Sequence, residues 1–123
     1  RCWDYRQKNW SENPFPILSS ADFFVNTSLN ESFCNVILEA LTLGKPVIAT
    51  DCDYGPSDMI VSGLNGFLIP NNNLEQLVVK LNELGHNEKL VNSLGKKAIE
   101  SANKFYLEQV GNIWEKLITN NEN

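Results

Sequence analysis

Cysteine, histidine and methionine are all scarce in this 123-residue sequence. The three cysteines, Cys2, Cys34 and Cys52, are an odd number and form no C-x-x-C pair. They therefore indicate neither a disulfide framework nor a zinc site, and their use is typical of a reducing cytosol. The single histidine, His86, lies in the sequence LGHNE between two predicted helices, with no base partner near it. We interpret it as a turn residue and not as a general base.

Positive charge and long apolar runs are also lacking. The chain has ten Lys and Arg residues and fifteen Asp and Glu residues, which gives a net charge of −5 and a pI near 4.8. This balance excludes nonspecific nucleic-acid binding, because such binding depends on cations that neutralise phosphates. The longest apolar runs, such as Val36–Leu38 and Pro46–Ala49, fall far short of the roughly 20 residues that span a bilayer. We expect neither a transmembrane helix nor a signal peptide.

The sequence has the size and composition of one folded unit. It is 42% hydrophobic and 20% charged, as in globular proteins, and it shows no internal repeat and no interdomain linker. It opens at Arg1, and its only methionine is Met59, which leads us to expect a fragment of a longer protein.

The first 70 residues predict alternating strands and helices. Two prolines in NPFPILSS, from Asn13, predict a loop with at most one helical turn. Strands are predicted in DFFVNTS, KPVIATD and NGFLIP, with a helix from Phe33 to Gly44 and a short helix that has Pro56 near its first position. Such alternation builds a parallel sheet with helices on both faces.

From Asn72 onward the pattern is helical. Asn72 or Asn73 is predicted to cap a helix whose apolar stripe follows, with Glu75 or Gln76 three residues after the cap. The stripe consists of Leu74, Leu77, Val78 and Leu81. A second helix is predicted from Glu88 through Ala98, and a third carries Val110, Ile113, Trp114 and Leu117.

Two glutamates bracket the start of the Phe33–Gly44 helix. If the helix begins near Phe33, the amides of Phe33–Val36 have no intrahelical partner, and they point out of the carboxyl end of the preceding strand, where an anion can bind. Glu31 and Glu39 are eight residues apart, or about 12 Å along a helix. This span suits a ribose at one end and a sugar at the other. It is wider than the separation of the two catalytic carboxyl groups in most glycosidases. Alternatively, both glutamates are ordinary surface residues of an amphipathic helix.

The surrounding motifs carry a family resemblance. Six motifs follow one another in a fixed order, in the region between about Asn13 and Ile118. They are NPF, ADFFVNTS, E-S-F-x₅-E-A, GKPVIATD, GPSDMI and NGFLIP. The order resembles the C-terminal, donor-binding half of retaining glycosyltransferases of the GT-B fold, family 4, also called glycosyl transferases group 1. The resemblance implies an α/β fold that is the Rossmann-like half of a GT-B protein, with a helical C-terminal tail. It makes residues 1–123 one partial domain, with a strand and helix core over 13–70 and helices over 72–118.

The resemblance also implies roles for individual residues. Glu31 would face the donor sugar as the catalytic residue, and Glu39 would hold the ribose hydroxyls. The remaining donor-binding residues implied are Ser32, Phe33, Cys34, Asn35 and Val36, whose amides hold the diphosphate. No metal and no other cofactor is implied, because the helix end replaces Mg²⁺.

The sequence departs from the family pattern in three places. Cys34 stands where glycine is frequent; it is either a reactive thiol or, as we favour, a small residue packed near the phosphates. Asp58 stands where glutamate is usual. The preceding Gly55 and Pro56 form either a loop beside the sugar or a simple turn. The family's upstream Arg and Lys are absent. The cations Arg1, Arg6 and Lys8 do not fit its pattern, and we interpret them as solvated.

The sequence thus predicts the donor domain of a cytoplasmic hexosyltransferase that uses a nucleotide sugar. The donor is expected to be a UDP-sugar and the pathway bacterial surface polysaccharide synthesis, with possible peripheral contact at the inner membrane face. The expected partner is an N-terminal acceptor-binding domain, without which this chain would be inactive. A noncatalytic remnant that binds nucleotide weakly is the alternative, and a nucleotide-sugar epimerase of the same architecture is a third, less favoured option.

Overall fold

Three short parallel strands form the centre of the protein. The computed structural model describes residues 15–27, 35–52 and 55–120. Within them lie β1 (Phe24–Asn26), β2 (Val47–Asp51) and β3 (Gly66–Pro70), which pair in the order β1-β2-β3. Ile48 of the central strand pairs with Val25 on one side and Phe67 on the other. The three predicted strands are confirmed.

Five helices lie within the described residues, before, between and after the strands. They are α1 (Phe15–Ser20), α2 (Asn35–Thr42), α3 (Pro56–Met59), α4 (Leu74–Gly85) and α5 (Glu88–Asn120). From β1 to α4 the strands and helices alternate along the chain, as the sequence predicts. The α/β, Rossmann-like fold class is confirmed, since helices pack on both sides of a parallel sheet.

Successive strand residues point to opposite faces of the sheet, and each face has its own cluster of buried side chains. One face, here called the α2 face, is covered by α2, α3 and the middle of α5, and its cluster includes Ile37, Leu41, Val47, Ala49, Met59, Ile60, Ala98 and Ala102. The other, the α4 face, is covered by α4 and the start of α5, and its cluster includes Ile48, Phe67, Ile69, Leu84, Val91 and Leu94. Helix α5 therefore contributes to both layers.

The turn between α2 and β2 brings α5 close to the sheet. Gly44 has a φ of 74°, a left-handed conformation that glycine adopts without strain. Its N–H donates to the Leu41 carbonyl and the Lys45 N–H donates to the Ala40 carbonyl, which is a Schellman ending for α2. A Cβ on Gly95 of α5 would lie 2.5 Å from the Gly44 oxygen. Only a glycine at position 95 lets α5 pass this turn so closely.

Helix α1 corrects the prediction of a loop with at most one helical turn. Six residues are helical, from Phe15 to Ser20. Pro16 occupies the second helical position, where a backbone N–H has no intrahelical acceptor, so the proline does not break the helix. The Ser20 hydroxyl donates to the Ile17 carbonyl at 2.8 Å in the last turn.

The prediction of two helices after α4 was wrong. A single 33-residue helix, α5, runs from Glu88 to Asn120. Ala102 and Phe105 pack on the α2 face and continue the buried stripe beyond Ala98. Residues 99–109 contain no proline and no glycine, so nothing in their sequence ends the helix.

Helix α4 buries a narrower face than the sequence predicts. The Asn73 side chain accepts from the Gln76 N–H at 3.0 Å, which confirms the cap and its glutamine three residues later. Leu77 and Leu81 pack against the α4-face cluster, but Leu74 is 71% exposed and Val78 is 45% exposed. One end of α4 thus leaves apolar surface uncovered beside the sheet.

The last turns of α5 also carry exposed apolar side chains. Between 45% and 75% of the surface is exposed for Tyr106, Leu107, Ile113, Trp114, Leu117 and Ile118. Ile113, Trp114 and Leu117 of the predicted apolar stripe therefore lie on the helix but are not buried within the described part of the chain. No helix in the described ranges is long and apolar enough to cross a membrane.

Candidate functional site

The carboxyl ends of the three strands meet at one edge of the sheet, here called the carboxyl edge. β1 ends at Asn26, β2 at Asp51 and β3 at Pro70, and because the strands are parallel these ends lie side by side. A helix begins shortly after each of them, so the starts of α2, α3 and α4 lie at the same edge. In open α/β sheets ligands bind in this position.

Helix α2 presents a polar stripe beside a fully buried one. Ile37, Ala40 and Leu41 are at most 1% exposed and fix the helix against the α2 face. Asn35, Glu39 and Thr42 are spaced i, i+4 and i+7, which places them on one outward face of the helix. Apolar packing on one side therefore determines which side chains of α2 remain available at the carboxyl edge.

Of the two glutamates in the predicted site, Glu39 lies within the described residues. It is half-buried, and its backbone lies about 6 Å along the helix axis from Asn35. Side chains of a helix lean toward its amino end, so Glu39 leans toward the carboxyl edge. Among the described residues, no hydrogen bond or ion pair engages its carboxylate. The group can accept hydrogen bonds from two adjacent hydroxyls of a ligand.

The predicted site falls only partly within the described residues. Asn35 and Val36 lie in the first turn of α2, where backbone N–H groups lack intrahelical acceptors, and Glu39 follows one turn later. The other four predicted residues lie outside the described residues; they are Glu31, Ser32, Phe33 and Cys34. Their roles stay predictions, as does the helix start at Phe33. The cations Arg1, Arg6 and Lys8 also lie outside the described residues.

Gly55 and Pro56 form the turn that starts α3. Gly55 has a φ of 99° and Pro56 occupies the first helical position, as predicted. The Asp58 N–H donates to the Gly55 carbonyl at 3.1 Å, and the Asp58 side chain is exposed. Simple turn formation thus accounts for the glycine and the proline, while a position beside the donor sugar stays a prediction.

His86 ends α4, in agreement with its interpretation as a turn residue. Its backbone N–H donates to the Asn82 carbonyl at 3.1 Å, and Nδ1 lies 2.9 Å from the same oxygen. These contacts are those of a helix C-cap. Within the described ranges, no three His, Cys, Asp or Glu side chains lie close enough together to hold a metal ion.

A family model decides the family. The model for glycosyl transferases group 1 matches residues 6–101. The chain belongs to this family. The match spans β1, β2 and β3 together with α2, and so includes the carboxyl edge and the two predicted glutamates.

Individual glycosyltransferases are similar to this family member in sequence and in structure. A poly(ribitol-phosphate) alpha-N-acetylglucosaminyltransferase of Staphylococcus aureus is 33% identical over 87% of the chain, which spans 22% of that relative's length. The crystal structure of TarM superposes with a TM-score of 0.82 at 33% identity, covering 89% of this chain and 22% of TarM. Anabaena Alr3699/HepE, in complex with UDP, gives a TM-score of 0.75 at 26% identity, covering 84% and 29%. The chain therefore spans less than a third of each of these proteins.

The carboxyl edge also gathers polar residues that the sequence did not single out as a group. Thr27 follows β1, Thr50 lies near the end of β2, and Asn72 follows β3. The sequence could have indicated these three residues, because each lies at or just after the end of a predicted strand. Their proximity depends on strand order, which the sequence pattern leaves open.

Proposed function

We propose that the chain is the donor-binding part of a retaining glycosyltransferase that uses a nucleotide sugar, specifically a UDP-sugar. The observation that carries this proposal is the start of α2 at the carboxyl edge, with Asn35, Val36 and Glu39 in its first two turns. Family membership supports transferase chemistry. Solved structures of the relatives TarM and HepE contain UDP, which supports the choice of nucleotide.

In this proposal the diphosphate binds the first turn of α2. The amides of residues 33–36 donate to the phosphate oxygens, and the positive end of the helix dipole stabilises the charge of the leaving group. Stabilising a leaving diphosphate is the task that a metal ion performs in other transferases, so we propose that no metal is needed. Glu31 would face the sugar and Glu39 would accept hydrogen bonds from the ribose hydroxyls.

The described part of the carboxyl edge provides no side-chain cation for the diphosphate. Neither Lys nor Arg occurs among its strand ends and helix starts, which are residues 26–27, 35–39, 51–52, 55–58 and 70–74. Compensation of two phosphate charges by backbone dipoles alone is weak in water. We therefore propose that further cations come from the rest of a longer protein. Until they are found, this observation also favours the second candidate, a remnant that binds nucleotide weakly and transfers nothing.

The proposed partner is an N-terminal acceptor-binding domain. The chain spans 22% of its Staphylococcus aureus relative, so that relative contains much additional polypeptide. The exposed apolar side chains on the last turns of α5 are available for packing against such a domain. Relatives named for capsular polysaccharide and lipopolysaccharide core biosynthesis support a role in surface polysaccharide synthesis. We propose that the protein acts in the cytoplasm, at the inner membrane face.

Glu39→Gln tests the ribose contact. We expect this variant to bind UDP at least about fivefold more weakly, because a charge-assisted pair contributes about 1 to 3 kcal/mol. Binding of 2′,3′-dideoxy-UDP, which lacks both hydroxyls, should be unchanged. The measurement is a titration of the ¹⁵N-labelled chain followed by NMR, in which UDP should shift the amides of Asn35 and Val36.

Glu75→Gln is the matched control, since Glu75 is an exposed acid in the first turn of α4 at the same edge. It should leave both affinities unchanged. Equal losses for UDP and its dideoxy analogue in Glu39→Gln would place Glu39 away from the ribose. Shifts that leave out Asn35 and Val36 would place the nucleotide elsewhere.

The isolated 123-residue chain should show no transferase activity. Positioning of the acceptor and stabilisation of the leaving-group charge each lower the activation barrier of such a reaction by several kcal/mol. The described chain offers only part of the charge stabilisation. A radiolabelled transfer assay with UDP-glucose and UDP-N-acetylglucosamine, with sugar and lipid-linked acceptors, checks this. Turnover by the purified chain would contradict it and would require a cation from within residues 1–123.

A further inference from the structure

A hollow lies at the carboxyl edge on the α4 face, across the sheet from α2. It has a volume of about 270 Å³ and is here called the α4 hollow. Its lining comes from the ends of all three strands and the start of α4, and comprises Thr27, Thr50, Ile69, Pro70, Asn72, Asn73, Leu74 and Leu77. None of these residues belongs to the predicted donor site.

The hollow follows from the order in which the helices cover the sheet. The helices after β1 and β2, which are α2 and α3, both pack on the α2 face. On the α4 face, only the first turns of α4 lie near the carboxyl edge among the described residues, and Leu74 there is 71% exposed. Asn72 has a φ of 59° in the turn before the helix, which carries the chain from β3 over the rim of the hollow.

The lining combines neutral polar side chains with an apolar floor. It contains two threonines and two asparagines and no charged side chain. Within the described part of the chain, the side chains of Thr27 and Asn72 make no hydrogen bond, and Asn73 uses only its Oδ1 atom, to cap α4. Ile69 is buried and Leu77 half-buried beneath them. Neutral donors and acceptors over aliphatic carbon match the hydroxyls and C–H face of a sugar ring.

We propose that the α4 hollow binds a neutral monosaccharide unit, separately from the nucleotide site. The absence of charge in the lining argues against a phosphate or a carboxylate ligand. The volume lies just below the roughly 300 Å³ at which pockets for drug-sized ligands begin, so it limits the ligand to about one sugar ring. This site is additional to the proposed donor function and does not depend on it.

An NMR titration with methyl α-D-glucopyranoside tests the proposal on the ¹⁵N-labelled chain. The glycoside should shift the amides of Thr27, Asn72, Asn73 and Leu74 in a saturable way, with a dissociation constant in the millimolar range. Asn72→Gly keeps the positive φ and removes the side-chain amide, so we expect it to weaken binding about two- to tenfold. Leu74→Trp should fill the hollow and abolish binding, while the exposed position lets the chain fold.

Asn71→Gly is the matched control, because Asn71 is exposed in the same turn but does not line the hollow. It should bind the glycoside as the parent chain does. The proposal is overturned if no saturable shift occurs up to about 100 mM glycoside, or if Asn72→Gly and Asn71→Gly have equal effects. UDP is titrated in parallel, and its shifts at Asn35 and Val36 report on the donor site alone. The failure of one site can thus be distinguished from the failure of the other.

Discussion

Replacing Gly66 by alanine is expected to prevent the chain from folding. Gly66 begins β3 and pairs with Val47 of the central strand. A Cβ at position 66 would lie 2.1 Å from the Val47 oxygen and 2.9 Å from its nitrogen, closer than Cβ atoms approach such atoms in proteins. Because these atoms are backbone, no side-chain rotation can relieve the contact.

The energetic consequence of this clash is large. Val47 is fully buried between β1 and β3, so moving it breaks strand pairing on both sides. We expect a loss of more than about 4 kcal/mol, comparable to the whole stability of a small domain. Circular dichroism during heating should show no cooperative transition, and the NMR spectrum should lose its dispersion.

Gly111→Ala is the matched control for Gly66→Ala. Gly111 lies inside α5, and a Cβ there would meet nothing within 4 Å. The same substitution should therefore raise stability by about 0.5 to 1 kcal/mol, because alanine favours the helix. A Gly66→Ala variant that melts within about 5 °C of the parent would contradict the described pairing of β2 with β3.

The second large effect is expected for Asn65→Ala. Asn65 is completely buried in the connection between α3 and β3. Its side-chain oxygen accepts from the Val61 N–H at 2.9 Å, and its amide nitrogen donates to the Met59 carbonyl at 2.8 Å. Alanine would leave both backbone groups without these partners. The bond to the Met59 carbonyl is buried and the bond from the Val61 N–H is partly buried. An unpaired group of this kind costs about 1 to 3 kcal/mol, so we expect a total loss of at least about 2 kcal/mol.

Thermal unfolding of the two asparagine variants Asn65→Ala and Asn92→Ala checks this expectation. A loss of this size corresponds to a fall in Tm of about 5 °C or more for a chain of this length. Asn92 is exposed on α5, and Asn92→Ala should change the stability by no more than about 0.5 kcal/mol. Similar Tm values for the two variants would show that the Asn65 hydrogen bonds do not hold the connection in place.

The proposed donor site shows how far sequence reasoning reaches. The E-x₇-E spacing singled out Glu39, and the apolar face of α2 explains why Glu39 remains outward and half-buried. The roles of Glu31, Glu39 and residues 32–34 rest on family resemblance and await the UDP titration. The sequence did not bring the lining of the α4 hollow together, because its polar members lie at or just after the ends of three different strands, whose order the pattern leaves open.

The local features of this protein were determined by its sequence. Periodicity and β-branched residues predicted the strands and α2. Gly44 predicted the end of α2, and Asn73 predicted the start of α4. Each of these features depends on residues within one or two turns of one another, so neighbouring positions in the sequence carry the information.

Only the tertiary structure decided which surfaces are covered. Val91 and Leu94 of α5 pack on one face of the sheet, and Ala98 and Ala102 pack on the other. The sequence predicted one helix through Ala98 and a separate one carrying Ile113, Trp114 and Leu117, whereas the structure joins them in one continuous helix. Leu74 fits an apolar stripe yet remains exposed, because no described element covers it. Burial depends on contacts between residues far apart in the chain, which periodicity within a single helix does not specify.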